Sequence, residues 1–410
     1  MTLISFALVF SYIISALFRL KHSVSFYSFF YLFALFFYSI APFAQFTSGI
    51  VPWGTLREST FVEINFVLFF YFIAYDLIYL FSFRSKITAL PQDTMKCSIS
   101  DSGALFLLCI ALLWGFFFFY LSSFSFRNLL VRGGDEEIER LSILQSLGLI
   151  VGSTRILFSG IAAVLLIFSK KKIFKFTALF LLLFFCAPTA TPRYFTAAAY
   201  VPVMLLIFPF LLKHRYTFNI LFSGALLLVF PLLDLFRRRA EEGVTFAPLL
   251  QFTSLHFDSY VSFAFVWEQG IITWGRQILG PLLFWFPRSY WEDKPVGSGH
   301  WVATQYELFE GGFSNVSMNF LGEGYINFGI FGVFLFIAGL ALISKKMDSL
   351  FWEKYQGDVH NYFAFYYLYS LAMLIFILRG DLLSSFAYTL GIVAVIYMLN
   401  KMIKRFIKTV

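Results

Sequence analysis

"MTLISFALVFSYIISALFRLKH" (residues 1–22) decides the class of fold. From Thr2 to Phe18 it carries no charge, and its first basic residues, Arg19 and Lys21, follow the apolar run instead of preceding it. A removable signal has a basic segment ahead of its apolar core and a small-x-small cleavage site behind it. This stretch has neither and reads as a first membrane helix. Similar runs recur through all 410 residues, which are 60% hydrophobic, 22% aromatic and 13% charged, with mean hydropathy +0.79. Apolar runs of about 18 or more residues are long enough to cross a bilayer as helices. The expectation is an all-α polytopic membrane protein, one integral domain over residues 1–410.

The pattern places about eleven transmembrane helices, at 2–18, 25–46, 62–82, 103–122, 148–168, 176–189, 195–212, 217–235, 321–343, 361–378 and 382–399. With alternate loops in the cytoplasm, about 18 of the 31 Lys and Arg fall in short inner loops, as the positive-inside bias requires. The reverse orientation would put "FSKKKIFKF" (168–176) and the tail "NKMIKRFIK" (400–408) outside. The net charge of +8 is therefore a topology signal, and no nucleic-acid partner is expected. Cys97, Cys109 and Cys186 suggest neither a disulfide framework nor a metal site. There is no GxxxxGK[ST], no Asp-x-Asp pair and no HExxH, so no ATPase motif, metal or cofactor is expected.

One connection breaks the rhythm of short loops: residues 237–320, on the outer, periplasmic side. Its interior, "SYVSFAFVWEQGIITWGRQILGPLLFWF" (259–286), is apolar enough to lie at the interface or re-enter the membrane. Non-helical backbone at that depth survives only under cover of protein or a water-filled cavity. Next comes "FPRSYWEDKPVGSGH" (286–300), with two prolines close together and four charges, a segment hostile to helix. Long loops of this kind are usually functional.

Eleven arginines and one lysine map to the outer side, among them Arg193, Arg237, Arg238, Arg239, Arg288, Lys294 and Arg379. A guanidinium offers a two-pronged donor fork and keeps its proton, so the skew toward Arg fits a phosphate-bearing ligand. The bland alternative is snorkelling, or pairing with Glu241, Glu242 and Asp381. Arg155 sits about 20 Å above the inner boundary of its span. A charge at that depth must face the bundle interior or water, as a ligand contact or an ion pair with Asp234. Glu323 opens a span, where the helix dipole alone favours it; its functional reading is a general base or a ligand for sugar hydroxyls. His256, His300 and the nearby Asp258 lie in the outer loop, and a histidine there can take a proton near neutral pH.

With "FPRSYWEDKP" (286–295), "NFLGEGYINFG" (319–329) and "LRGDLLSS" (378–385), the chain resembles the O-antigen polymerases over most of its length. The resemblance implies a C-type glycosyltransferase-like membrane fold. It also implies transfer of a growing glycan from undecaprenyl diphosphate onto a new lipid-linked repeat unit, at the periplasmic face of the bacterial inner membrane. Its partners would be undecaprenyl-diphosphate-linked oligosaccharide and membrane lipid, with a chain-length regulator and a flippase alongside. On this resemblance Arg288 and Lys294 match the Pro-Arg…Lys-Pro motif, Glu323 the Gly-Glu ahead of a span, and Arg379 the arginine before a glycine. Arg193 matches a mid-chain arginine, although "TPRYF" lacks the glycine expected after it. Trp291, Tyr290 and Trp301 would stack on sugar rings, or anchor the loop at the interface. Two alternatives stay open: an O-antigen ligase, in which the histidines would matter more, and a lipid-linked oligosaccharide flippase or transporter.

Overall fold

A computed structural model describes residues 1–82, 97–130, 148–229, 250–309, 315–359 and 361–409. A helix lies in each of the eleven apolar runs. In chain order the helices are α1 (Thr2–Phe18), α2 (Phe26–Ser48), α3 (Glu58–Phe81), α4 (Asp101–Leu121), α5 (Val151–Phe168), α6 (Lys172–Phe185), α7 (Arg193–Ile207) and α8 (Thr217–Leu228). In the long segment between α8 and α11 come α9 (Ser259–Glu268) and α10 (Ser298–Gln305), followed by α11 (Phe320–Lys354), α12 (Tyr362–Arg379) and α13 (Leu382–Ile403). Seven of them, α2, α3, α4, α5, α11, α12 and α13, are long and apolar enough to cross a membrane.

Local sequence sets the starts. Ser25, Ser100, Asn319, Asn361 and Asp381 each accept a hydrogen bond from an amide of the following first turn, occupying a donor that helix geometry leaves orphaned. In α2, Pro42 would clash with a regular turn, and a π turn over Leu35–Ile40 precedes it, reseating the backbone.

The helix ends gather at two poles. At one, Asp76 pairs with Arg19 (3.0 Å), and Asp348 accepts from the amides of Phe26 (2.8 Å) and Tyr27 (3.2 Å) and the hydroxyls of Tyr79 and Tyr367 (both 2.8 Å). Lys171 meets Asp101 there (2.7 Å), and Cys97–Ile99 pairs antiparallel with Ile407–Thr409 in a two-stranded ribbon. These are the ends that carry the Lys- and Arg-rich loops. At the other pole, Glu58 accepts from Thr2, and Gln45 donates to the carbonyls of Phe252 and Phe257. Glu268 holds both Arg57 (2.8 Å) and Thr60 (2.7 Å).

Two apolar cores fill the bundle. One joins α1, α2, α3, α9 and α11; the other joins α4, α5, α6, α7 and α13. Helix α12 is the wall between them. Tyr367, Leu371 and Leu378 enter the first core, and Phe365, Tyr369 and Met373 the second. Much of the contact is aromatic, as where Phe30 stacks on Tyr75 at 4.0 Å. Such packing has to carry the association of helices in lipid, where burial of apolar surface gains little.

Two findings refine the sequence reading. The stretch expected as one span from 321 is broken at Phe328 and Gly329. Gly329 adopts φ +60°, ψ −147°, a region open essentially to glycine alone. The short helix 320–327 folds back against the span that follows. In a straight helix Gly324 and Gly332 would stand about 12 Å apart; here a methyl group on Gly324 would lie 2.8 Å from the Gly332 carbonyl oxygen. The second finding concerns the long segment between α8 and α11, whose helix α9 is core. Tyr260, Val261, Phe263, Ala264 and Val266 are fully buried. The same segment caps the short helix: the amides of Thr273 and Gly275 donate to the carbonyls of Ile326 (2.6 Å) and Asn327 (2.8 Å). Irregular backbone is thus covered by protein, as the bilayer rule demands.

Candidate functional site

At the pole formed by this segment, a cavity of about 320 Å³ opens between α2, α7, α8 and α12. Arg193, Arg379 and His256 line it together. Its remaining walls are apolar, chiefly Phe33, Phe36 and Phe37 of α2, Phe222 and Leu226 of α8, and Phe376 of α12.

Each cation is placed by its helix end. Arg193 begins α7 directly after Pro192, a residue that cannot continue a helix backwards. Its neighbour Tyr194 stacks on Phe376 at 3.8 Å, 5° from coplanar, and so fastens the start of α7 to the end of α12. Arg379 is the last residue of α12. Its Nε donates to the His256 carbonyl (3.0 Å), and its Nη2 lies 3.9 Å from Asp258 Oδ1. Among the described residues, neither Nη group of Arg379 donates a hydrogen bond. The guanidinium is anchored by a hydrogen bond at Nε and an ion pair at Nη2, at the wall of the cavity.

Asp258 stands behind it, 2% exposed, its Oδ2 accepting the Ser317 amide (2.9 Å). Burial pushes its carboxyl above the usual range, against the opposing pull of the Arg379 charge and the Ser317 amide.

Glu323 lies elsewhere. It is 1% exposed, and its two oxygens accept from Ser298 Oγ (2.8 Å) and the Leu382 amide (2.9 Å). It does not line the cavity; it ties the short helix 320–327 to α10 and to the first turn of α13. A glutamine can keep both contacts, its carbonyl accepting from Leu382 and its amide donating to Ser298. Glu323→Gln is therefore expected to leave the fold and any activity intact. Glu323→Ala orphans the buried Ser298 hydroxyl and the partly buried Leu382 amide, and should cost about 1–3 kcal/mol in a detergent melt. A general base would give the opposite pattern, with activity lost in the glutamine variant.

Arg288 and Lys294 also stand apart from the cavity. Arg288 donates to the carbonyls of Lys294 (2.7 Å) and Pro295 (3.1 Å), and Lys294 Nζ to those of Phe284 and Phe286 (both 2.8 Å). Burial and the adjacent guanidinium push the lysine below its usual range. These two cations brace the Pro-rich loop, Lys294 from within and Arg288 from its exposed side. Arg288→Ala should loosen that loop by about 1.5–3 kcal/mol, the worth of its charged hydrogen bonds, and leave any activity per folded molecule unchanged.

Arg155 packs over the Phe118 ring (4.8 Å) in the second core, and it does not line the cavity. His300 and Tyr290 are exposed, and Trp291 and Trp301 are half-buried; none lines the cavity. Arg237, Arg238 and Arg239 lie outside the described residues, as does Asp234. The sequence reading did not single out Tyr194, Ser298 or the Phe wall. In a chain with 59 phenylalanines, nothing marks Phe33, Phe36 and Phe37 as lining.

No protein-family model, curated protein or solved structure matches the chain. What the geometry provides is an amphipathic pocket. Two guanidiniums and an imidazole stand together, and the remaining walls are hydrocarbon.

Proposed function

We propose that this protein is a glycosyltransferase that polymerises lipid-diphosphate-linked oligosaccharide repeat units into a surface polysaccharide. The observation that carries the reading is a pair of arginines, Arg193 and Arg379, in one cavity walled by phenylalanine, with Arg379 oriented by the His256 carbonyl and Asp258. A polyprenyl diphosphate has the same division, two phosphates on an apolar tail. In this reading α1, α6, α7 and α8 join the seven longer helices to make eleven spans of a bacterial inner membrane, and the cavity faces the periplasm.

The chemistry is a single displacement at the anomeric carbon of the growing glycan. A hydroxyl of the incoming repeat unit forms the new carbon–oxygen bond as the bond to the diphosphate breaks. The departing electron pair settles on phosphate oxygen, where guanidiniums that need no reorganisation stabilise it. The hydroxyl proton passes to His256, the titratable group among the predicted bases that lines the cavity. Asp258 keeps Arg379 facing inward.

Purified protein incubated with polyprenyl-diphosphate-linked repeat units is expected to produce a ladder of longer glycans on a gel. Absence of lengthening would defeat the proposal, and movement of lipid between leaflets without new bonds would make the protein a flippase. His256 at the cavity also suits an O-antigen ligase. A ligase would transfer finished glycan onto lipid A core and leave the repeat units unjoined, so supplying both acceptors separates the two.

A further inference from the structure

Extension of the kind proposed above joins two lipid-linked molecules, and the cavity at Arg379 accounts for one. A second cleft, of about 520 Å³, lies between α1 and α2. Phe6, Ala7 and Phe10 form one wall and Ile40, Phe43 and Ala44 the other, and no charged side chain lines it. Helix α2 is the septum between the two spaces. Phe33, Phe36 and Phe37 border the cavity, and the cleft takes over from Ser39 onward, across the π turn at Leu35–Ile40. Residues 39–48 span about 14 Å of helix, close to half of a ~30 Å hydrocarbon core. The cleft is thus one leaflet deep. At the pole shared with the cavity it is bounded by Thr47, Ser48 and Thr253. Thr253 belongs to the segment that carries His256 into the cavity, and Gln45 clamps that segment at the carbonyls of Phe252 and Phe257.

We infer that this cleft holds the polyprenyl tail of the accepting repeat unit, an assignment that rests on the polymerase reading. The charge difference between the two spaces supports it. The donor's diphosphate departs as an anion and needs cations around it. The acceptor's diphosphate keeps all its bonds and stays among lipid head groups, so its tail requires only an apolar wall. Both lipids would then present their heads to the 250–257 segment from opposite sides of α2.

The test fills the cleft from positions that are already exposed, with Ala7→Trp and Thr47→Phe, in full-length protein reconstituted in bilayers. Chain extension is measured against two acceptors, a repeat unit on a full-length polyprenyl diphosphate and one on a two-isoprene tail. KM for the long-tailed acceptor should rise about tenfold, equivalent to 1.4 kcal/mol. KM for the donor and for the short-tailed acceptor should stay at the wild-type value. An unchanged long-tail KM, or an equal rise in the donor's KM, overturns the assignment. Wild-type protein that joins no units at all overturns the polymerase reading, and the assignment with it.

Discussion

Arg379→Ala should cut kcat/KM for chain extension by about 10²–10³-fold, the range seen when one preorganised donor to a developing oxyanion is removed. The size follows from the geometry. Nε is bonded to the His256 carbonyl and Nη2 is paired with Asp258, so the guanidinium is already oriented at the wall of the cavity that the departing diphosphate would enter. A lysine cannot reproduce an anchored, two-pronged donor, so Arg379→Lys should recover only part of the loss. Removing Arg379 also strips Asp258 of its countercharge in a buried site, where an unpaired charge is costly. The Asp258→Asn/Arg379→Gln double variant separates the effects, since it removes both charges together. It should restore the melting temperature and leave extension as poor as in the single variant. Full extension by well-folded Arg379→Ala would end the case for this residue as a phosphate ligand.

The second large effect concerns the fold. Gly332→Leu should prevent recovery of monodisperse protein from mild detergent. Extra methylenes in a packed core cost about 1–3 kcal/mol when neighbouring side chains can shift. Here the obstacle is the Gly324 backbone, which has no rotamer to change, so the loss falls at the top of that range or beyond it. Gly329→Ala strains the backbone directly, by about 1–3 kcal/mol, and should lower the melting temperature without the same collapse. A normal elution profile for Gly332→Leu would mean that the fold-back of helix 320–327 is not rigid.

The positions of the helices were legible because apolar length and charge placement act locally. The run at 1–22 and the basic knot at 168–176 locate helix ends without reference to neighbours. The break at Gly329 was not legible. "NFGIFG" continues an apolar helix as well as it ends one, and only contact between Gly324 and Gly332 decides. The site was readable in part for the same reason. Arg193 and Arg379 sit at hairpin ends, and topology alone sends both to one pole. Whether a cation there faces a ligand or its own loop depends on which carbonyls lie within reach. Arg288 and Lys294 read as ligand residues in one dimension, and their donors are claimed by backbone oxygens six to ten positions away. Glu323 carries a similar lesson. Its partners, Ser298 and Leu382, stand 25 and 59 residues distant, so a dipole-favoured acid and a structural clasp look alike in sequence.

That clasp bears on biogenesis. Ser298 emerges from the ribosome before Glu323, and Leu382 after it, at the head of α13. Until α13 is threaded into the bilayer, one oxygen of a fully enclosed carboxylate has no donor. Nascent chains that stall short of α13 would carry an enclosed acid with one oxygen unsatisfied, behind the short helix 320–327.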